Sequence, residues 1–373
     1  MNITSIIALI VATVIPLIVL YIIYTRDFYG TGAFSYVILC FVWGGVAFAF
    51  AYLINSYLIS NGIIERLTVI RVVAPIEEEI LKGLILIYLI RRPQFTYFVD
   101  GAIYGFAVGI GFAIFENYYY IWGDLGALSL AIQRVISVNL VHATGSAIIG
   151  IAFGLARFSR LRGRIVQVLT GLALAAALHA VFNNLVTTVS RGLDIVFAVI
   201  IGFIGLSTIW ATIKRGLAEE KAWIEETLGM ADRVTPGEAE VVHRITKVDE
   251  ILEPLAMRFG KEKASQIEKF IKIQAKLGIL RKTLEKLQDE NLLEDARKEM
   301  ALLRQEMDAV RKSVGTYTMM YLRGIFMEED SQLWGSLERG IIEERLISHP
   351  VPEGGGLWGK LDEVIKPPNS LDE

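Results

Sequence analysis

A cluster of charged residues lies in an otherwise apolar stretch of the sequence: Glu77, Glu78 and Glu79, followed by Lys82. The stretch is long enough to cross a bilayer, where inserting one ionised side chain costs roughly 2.5–3.5 kcal/mol. Residues three and four apart share one face of a helix, so Glu78 and Glu79 can each approach Lys82. The cluster therefore predicts a chemical site at membrane depth, where one carboxylate works while another pairs with the lysine. The plainer alternative is a Glu–Lys pair that only holds helices together.

Three further polar patterns occupy the next apolar stretches: Phe112-x-x-x-Glu116-Asn117, His142-x-x-x-Ser146 and His179-x-x-x-Asn183. Each histidine has a hydrogen-bonding residue one helical turn further on, and thus on the same face. Taken singly, such a histidine fits a helix-to-helix hydrogen bond as well as a functional role. Carboxylates and imidazoles on four successive apolar segments together predict one shared site.

Two kinds of chemistry suit these side chains, and both imply hydrolysis. Glutamate and histidine are preferred zinc ligands, and the predicted ligands are Glu79, Glu116, His142 and His179. Alternatively, a glutamate acts as general base on water while histidine and asparagine donate to the developing oxyanion, without any metal. The HExxH pattern of many zinc proteases is absent from the chain. The sequence leaves the choice between the two mechanisms open.

The elements that must position these residues are membrane-spanning helices. Each of several apolar runs meets the requirement of roughly 20 residues for a span. They are 3–24, 34–58, 67–90, 98–120, 128–156, 165–188 and 194–213. We therefore expect an all-α, polytopic membrane protein with about seven transmembrane helices in residues 1–215. The first run exceeds a signal-peptide core in length and lacks an obvious cleavage site, so we expect it to be a true span.

Charge separates the two halves of the chain. Residues 1–215 hold 14 Lys and Arg against 9 Asp and Glu, a net charge of +5. Residues 216–373 hold 23 against 31, a net charge of −8, and show no basic stripe, which argues against a nucleic-acid partner. Arginine and lysine gather in the loops after spans one, three, five and seven. Because such loops resist translocation, we expect an external amino terminus and a cytoplasmic C-terminal half of a cell-membrane protein.

The C-terminal half reads as helical. Apolar residues recur at alternating steps of three and four over 265–314, which is coiled-coil spacing, and the phase breaks at 289–291. This pattern predicts an antiparallel helical hairpin within a soluble cytoplasmic domain over 216–348. A small bundle is the plainer interpretation, and self-association or binding of a protein partner through the hairpin is the alternative. Residues 349–373, rich in proline and glycine, are expected to be a flexible tail.

The four polar patterns, in this order on successive spans, resemble the motif set of PrsW-type intramembrane proteases, which are related to the CAAX-processing prenyl endopeptidases. The resemblance covers roughly residues 60–190, about a third of the chain. It implies the following catalytic residues: Glu78, Glu79, Glu116, His142, His179 and Asn183. Lys82, Phe112 and Asn117 of the same motifs are expected to support them, and the spacing after His142 adds Ser146 to these supporting residues. In the prenyl endopeptidases a histidine stands where this chain has Glu116, and this departure favours the PrsW branch.

That resemblance implies an endopeptidase that cleaves a peptide bond in or beside a membrane segment of a partner protein. Two alternatives stay open from the residues alone. Buried carboxylates and histidines also serve proton- or ion-coupled transporters, although no internal repeat is evident here. A catalytically inactive scaffold of the same clan is the other alternative.

Overall fold

A computed structural model describes residues 3–25, 32–92, 95–122, 127–188, 193–228, 234–245 and 248–324. These residues form helices and contain no strand, which confirms the predicted all-α class. The helices of the membrane part are α1 (Ile3–Tyr24), α2 (Phe34–Ser60), α3 (Arg66–Thr68), a π turn (Val69–Val73), α4 (Ala74–Leu89), α5 (Phe98–Ile121), α6 (Ala127–Ile136), α7 (Val138–Ala156), α8 (Leu161–Thr188) and α9 (Leu193–Thr227).

Six stretches of the described chain are helical, long and apolar enough to cross a membrane: Ile3–Tyr24, Phe34–Ser60, Phe98–Ile121, Leu128–Ala156, Leu161–Thr188 and Ile195–Thr227. The predicted run at 67–90 is also helical, as α3, the π turn and α4 follow each other without a break. It differs from the other runs because α4 is only 16 residues long and carries Glu77, Glu78, Glu79 and Lys82. A polytopic membrane protein is confirmed, with this charged helix as its atypical element.

Helix α5 is the centre of the membrane part, and nearly all of its residues are buried. It packs most extensively against α7 through glycines placed one turn apart. A Cβ at Gly109, Gly105 or Gly101 would overlap the backbone of His142, Ser146 or Gly150 respectively. Small residues at this spacing let two helix backbones approach closely. The close packing holds the backbone of His142 rigidly against α5.

The C-terminal half adds α10 (Pro236–His243), α11 (Val248–Phe259), α12 (Lys261–Lys286), α13 (Glu290–Val314) and α14 (Thr316–Gly324). Helices α12 and α13 are joined at Asp289, whose side chain caps α13 by accepting from the N–H groups of Asn291 and Leu292. Their far ends also meet, since Lys263 Nζ donates to the Ser313 carbonyl at 2.5 Å. The two helices are therefore antiparallel over the predicted hairpin region.

The predicted domain boundary at residue 215 falls inside α9, which continues from the membrane part into the C-terminal half. There it packs against α12, where Thr227 Oγ1 donates to the Gly278 carbonyl at 2.8 Å. Residues 325–348 of the predicted cytoplasmic domain and the predicted tail at 349–373 lie outside the described residues.

Candidate active site

The buried ammonium group of Lys82 joins two of the predicted site residues. Its Nζ lies 2.7 Å from Glu79 Oε1 and 2.7 Å from His142 Nδ1, and it sits 4.1 Å from the centre of the Phe112 ring. The Lys82 side chain is 0% exposed and that of Glu79 is 1% exposed. Because an ammonium group donates hydrogen bonds and cannot accept them, His142 Nδ1 must be the acceptor. Lys82 thereby links α4 to α7 and sets the tautomer of His142.

The other ring nitrogen of His142 faces Glu116. His142 Nε2 lies 3.0 Å from Glu116 Oε2, and the Glu116 carboxylate also pairs with Arg134 Nη2 at 2.8 Å. Arg134 Nε donates to Asn117 Oδ1 at 2.7 Å, and Asn117 Nδ2 donates to Asn139 Oδ1 at 2.7 Å. Glu116 is therefore held from two sides, by an imidazole and by a guanidinium.

Arg134 and Asn139 were not among the predicted site residues. The sequence did carry a signal for Arg134, since an arginine inside the apolar run at 128–156 needs a partner at membrane depth. The partners of Arg134 lie on α5, so the spacing of residues within α6 and α7 could not predict them. Asn139 carries no comparable signal, because a single asparagine near a helix start is common.

His179 lies between the two adjacent glutamates of α4. Its Nδ1 is 3.1 Å from Glu79 Oε1, and its Nε2 is 3.9 Å from Glu78 Oε2. A carboxylate accepts from the Nδ1 hydrogen, which leaves the Nε2 lone pair directed to the Glu78 side. Glu78 Oε2 is buried and makes no hydrogen bond to any part of the chain that the structure describes. Glu79 thus orients His179, whereas Glu78 is available for chemistry.

A cavity of about 680 Å³ reaches this site, and Glu78, Glu116, His142 and His179 all line it. Glu79 and Lys82 do not line it and lie behind those residues. Its outer lining comes from the ends of helices on one side of the membrane part: Ser60 of α2, Arg66 of α3, Tyr120 of α5 and Thr187 of α8. That side is opposite to the end of α9 from which the C-terminal helices follow.

The donor set fits a metal ion. Glu78, His142 and His179 each offer one ligand atom, and these three atoms lie within 4.8 Å of one another. Glu78 Oε2 and His179 Nε2 carry free lone pairs, whereas both nitrogens of His142 are engaged, by Lys82 and Glu116. One carboxylate and two imidazoles are the protein ligands of many catalytic zinc sites.

The group found here differs from the predicted ligand set at two positions. Glu79 accepts from His179 and Lys82, and Glu116 accepts from His142 and Arg134. Each of these glutamates therefore supports a histidine, in the way that second carboxylates orient metal-binding imidazoles. Glu78, the residue before Glu79 on α4, is the glutamate of the candidate group.

The remaining predicted residues lie around the site in different ways. Asn183 Nδ2 donates to the Ile70 carbonyl at 2.9 Å and lines the same cavity. The Ser146 hydroxyl is buried and has no hydrogen-bond partner within the described ranges, while its backbone packs on Gly105. Ser146 thus neither lines the cavity nor forms a side-chain hydrogen bond to the described glutamates and histidines.

Comparison with known proteins places these residues in a family context. Residues 32–210 match the family described as "PrsW family intramembrane metalloprotease". Three curated relatives carry the name "Protease PrsW". That of Bacillus subtilis (strain 168) is 32% identical over 115 residues, which are 31% of this chain and 52% of the relative. That of Geobacillus kaustophilus (strain HTA426) is 26% identical over 195 residues, 52% of this chain and 83% of the relative.

The third relative, from Clostridioides difficile (strain 630), is 30% identical over 135 residues, 35% of this chain and 57% of the relative. The chain thus spans about half the length of two of these relatives. No solved structure matches the chain significantly. The matched residues include the helices that carry Glu78, Glu116, His142 and His179.

Proposed function

Because residues 32–210 are of the PrsW type, as the sequence patterns predicted and the family matches confirm, we propose that this protein is an intramembrane endopeptidase. Its substrate would be another membrane protein, cleaved in or beside a membrane segment. The observation that carries the proposal is the convergence of Glu78, His142 and His179 at one cavity. The buried polar network behind them, built by residues of α4, α5, α6 and α7, suits a site that must hold its geometry at membrane depth.

In the metal-free form of the proposed mechanism, Glu78 is the general base. Its Oε2 lines the cavity without a hydrogen-bond partner in the described chain, so it can accept a proton from a water that enters there. Glu79 and Lys82 do not reach the cavity, and they hold His179 and His142 in fixed orientations. Rigid placement of base and imidazoles lowers the reorganisation needed when charge develops on the scissile carbonyl.

In the metal-dependent form of the mechanism, zinc would be held by Glu78, His142 and His179, and Glu78 would then serve as a ligand and not as the base. When bound, zinc would act as a Lewis acid toward the scissile carbonyl and would favour deprotonation of water. Zinc at His142 requires one of its ring nitrogens to exchange its present partner, Lys82 or Glu116. Glu116 lies 3.0 Å from Nε2 and is held by Arg134, so it remains beside the imidazole during such an exchange.

The cavity also bears on the proposed orientation. It opens on the side opposite to the C-terminal helices, and we assign that side to the exterior from the arginine-rich loops on the other side. Water and an extended substrate segment would then enter from outside, while the C-terminal half remains cytoplasmic. Cysteine substitutions at Ser60 and Ser159 test this assignment, because a membrane-impermeant thiol reagent added to intact cells should label only the Ser60 position.

The central experiment measures zinc and cleavage on the same preparations of the full chain. Zinc content is determined by elemental analysis after purification without chelators, for wild type, Glu78→Gln and His179→Ala. Residues of the same types outside the site supply the controls, Glu225→Gln and His243→Ala, with side chains 47% and 25% exposed. We expect near-stoichiometric zinc in wild type and both controls, and a loss of at least about tenfold in the two site variants.

Cleavage is measured on a panel of single-span reporter proteins with a tag on each side of the membrane. Wild type and both controls should separate the two tags of at least one reporter, and Glu78→Gln should not. Zinc-free wild type that still cleaves would favour a glutamate-activated water without metal. Cleavage retained in both Glu78→Gln and His179→Ala would disprove the site assignment.

A further inference from the structure

The helix that leads into the glutamates of α4 contains a wider turn than an α-helix. The N–H of Ala74 donates to the carbonyl of Val69, five residues earlier. In an α-helix this N–H would donate to the carbonyl four residues earlier, that of Ile70. In the wider turn, the Ile70 carbonyl would instead accept from residue 75. Residue 75 is a proline and has no N–H to donate. The backbone alone therefore leaves the Ile70 carbonyl without its helical partner.

A side chain from α8 supplies the missing donor. Asn183 Nδ2 donates to the Ile70 carbonyl at 2.9 Å. The contact is reinforced one turn further along α8, where Thr187 Oγ1 accepts from Arg71 Nε at 2.8 Å. Asn183 also lies one turn after His179, on the same face of α8. One face of α8 thus contacts α4 through His179 and the π turn before it through Asn183.

We propose that Asn183 is a positioning residue that replaces the hydrogen bond Pro75 cannot make and so stabilises the π turn. The turn sets the rotation of α4, because shifting a helix by one residue turns every later side chain by about 100°. Glu78 and Glu79 are separated by that same angle, and they have different partners. Fixing the rotation therefore keeps Glu78 toward the cavity and Glu79 toward His179 on α8.

The inference assigns Asn183 a role different from the one expected for it. An asparagine that lines a catalytic cavity could instead donate directly to the oxyanion of the substrate. In the structure one of the two N–H groups of its amide is bonded to the Ile70 carbonyl. The two roles predict different responses to a change at Pro75, because a residue with an N–H there can supply the donor itself.

The test is a double-mutant cycle of Asn183→Ala and Pro75→Ala in the full chain, and its cleavage readout rests on the proposed function. Losing the donor to a cavity-facing carbonyl should lower the cleavage rate by about tenfold, equivalent to ~1.4 kcal/mol. With Pro75→Ala added, the rate should return to within about threefold of the Pro75→Ala single variant. The matched control is Asn61→Ala, since the Asn61 amide is exposed and donates to the Tyr57 carbonyl on its own helix at 2.9 Å. This variant should retain cleavage.

A second readout needs no substrate. Unfolding of the same four proteins in detergent should reveal a coupling of about fivefold or more in the unfolding equilibrium constant between Asn183 and Pro75. Absence of coupling would overturn the inference even if the protein cleaves no reporter, so failure here is distinct from failure of the proposed function. Coupling in stability without recovery of cleavage in the double variant would also overturn it, since Asn183 would then act on the substrate.

Discussion

Replacing Lys82 with methionine removes the buried ammonium group that joins α4 to α7 at the site. Methionine keeps the length and the apolar part of the side chain, so the change tests the charge rather than the packing. Glu79 would lose its partner at 2.7 Å, and His142 Nδ1 would lose a donor at the same distance. With both groups buried, bulk water does not replace the lost hydrogen bonds.

The size of the effect follows from these contacts. Breaking a buried ion pair by removing one partner costs about 3–5 kcal/mol, because an unpaired charge remains inside. Two hydrogen bonds to a charged group, at ~1.5–3 kcal/mol each, lead to the same range. We therefore expect Lys82→Met to lower the free energy of unfolding by about 3–5 kcal/mol and to abolish cleavage, since both histidines lose part of their support.

The assay is equilibrium unfolding in mixed detergent micelles, followed by circular dichroism, beside the reporter cleavage assay. Lys221→Met is the matched control, because its pair with Glu225 is about half exposed and should contribute less than ~1 kcal/mol. Adding Glu79→Gln to Lys82→Met removes the unpaired charge and should restore most of the lost stability while cleavage stays absent. A loss below about 1 kcal/mol for Lys82→Met, or no recovery in the double variant, would refute the reasoning.

Two further predictions concern packing within the two halves. Gly150→Ala should destabilise the fold by about 1–3 kcal/mol, because its Cβ would overlap the backbone of α5. Gly83→Ala is the control and should be nearly neutral, because its Cβ would meet only side chains, at 3.5 Å or more. Equilibrium unfolding of both variants in detergent checks this prediction. Glu238 is 0% exposed and accepts hydrogen bonds from Arg311 and Arg323. Glu238→Leu should therefore destabilise the C-terminal helices by about 3–5 kcal/mol. The measurement is amide hydrogen exchange, which should become faster in α10 and α14. Unchanged exchange there would contradict this role for Glu238.

Local patterns in the sequence were sufficient to predict the class of the protein and most of the site. Hydropathy over about 20 residues is a property of one segment, so the apolar helices could be located without any knowledge of their neighbours. Carboxylates and histidines inside such segments are costly, so their presence alone marked Glu78, Glu116, His142 and His179 as candidates. The helical hairpin of α12 and α13 likewise followed from spacing within one stretch, and its turn lies at Asp289 as expected.

Roles within the site depended on contacts between segments far apart in the chain. Glu78 and Glu79 have the same chemistry, and the packing of α4 against α8 directs Glu78 to the cavity and places Glu79 against His179 Nδ1. The role of Arg134 depends on its ion pair with Glu116 on another helix. The role of Asn183 depends on the Ile70 carbonyl, which the π turn and Pro75 leave without a backbone donor. The helix period predicts which residues share one face of a helix. It does not predict what that face packs against, because the contacting side chains and carbonyls lie about 20 to 110 positions apart in the sequence. Only tertiary packing decides those partners.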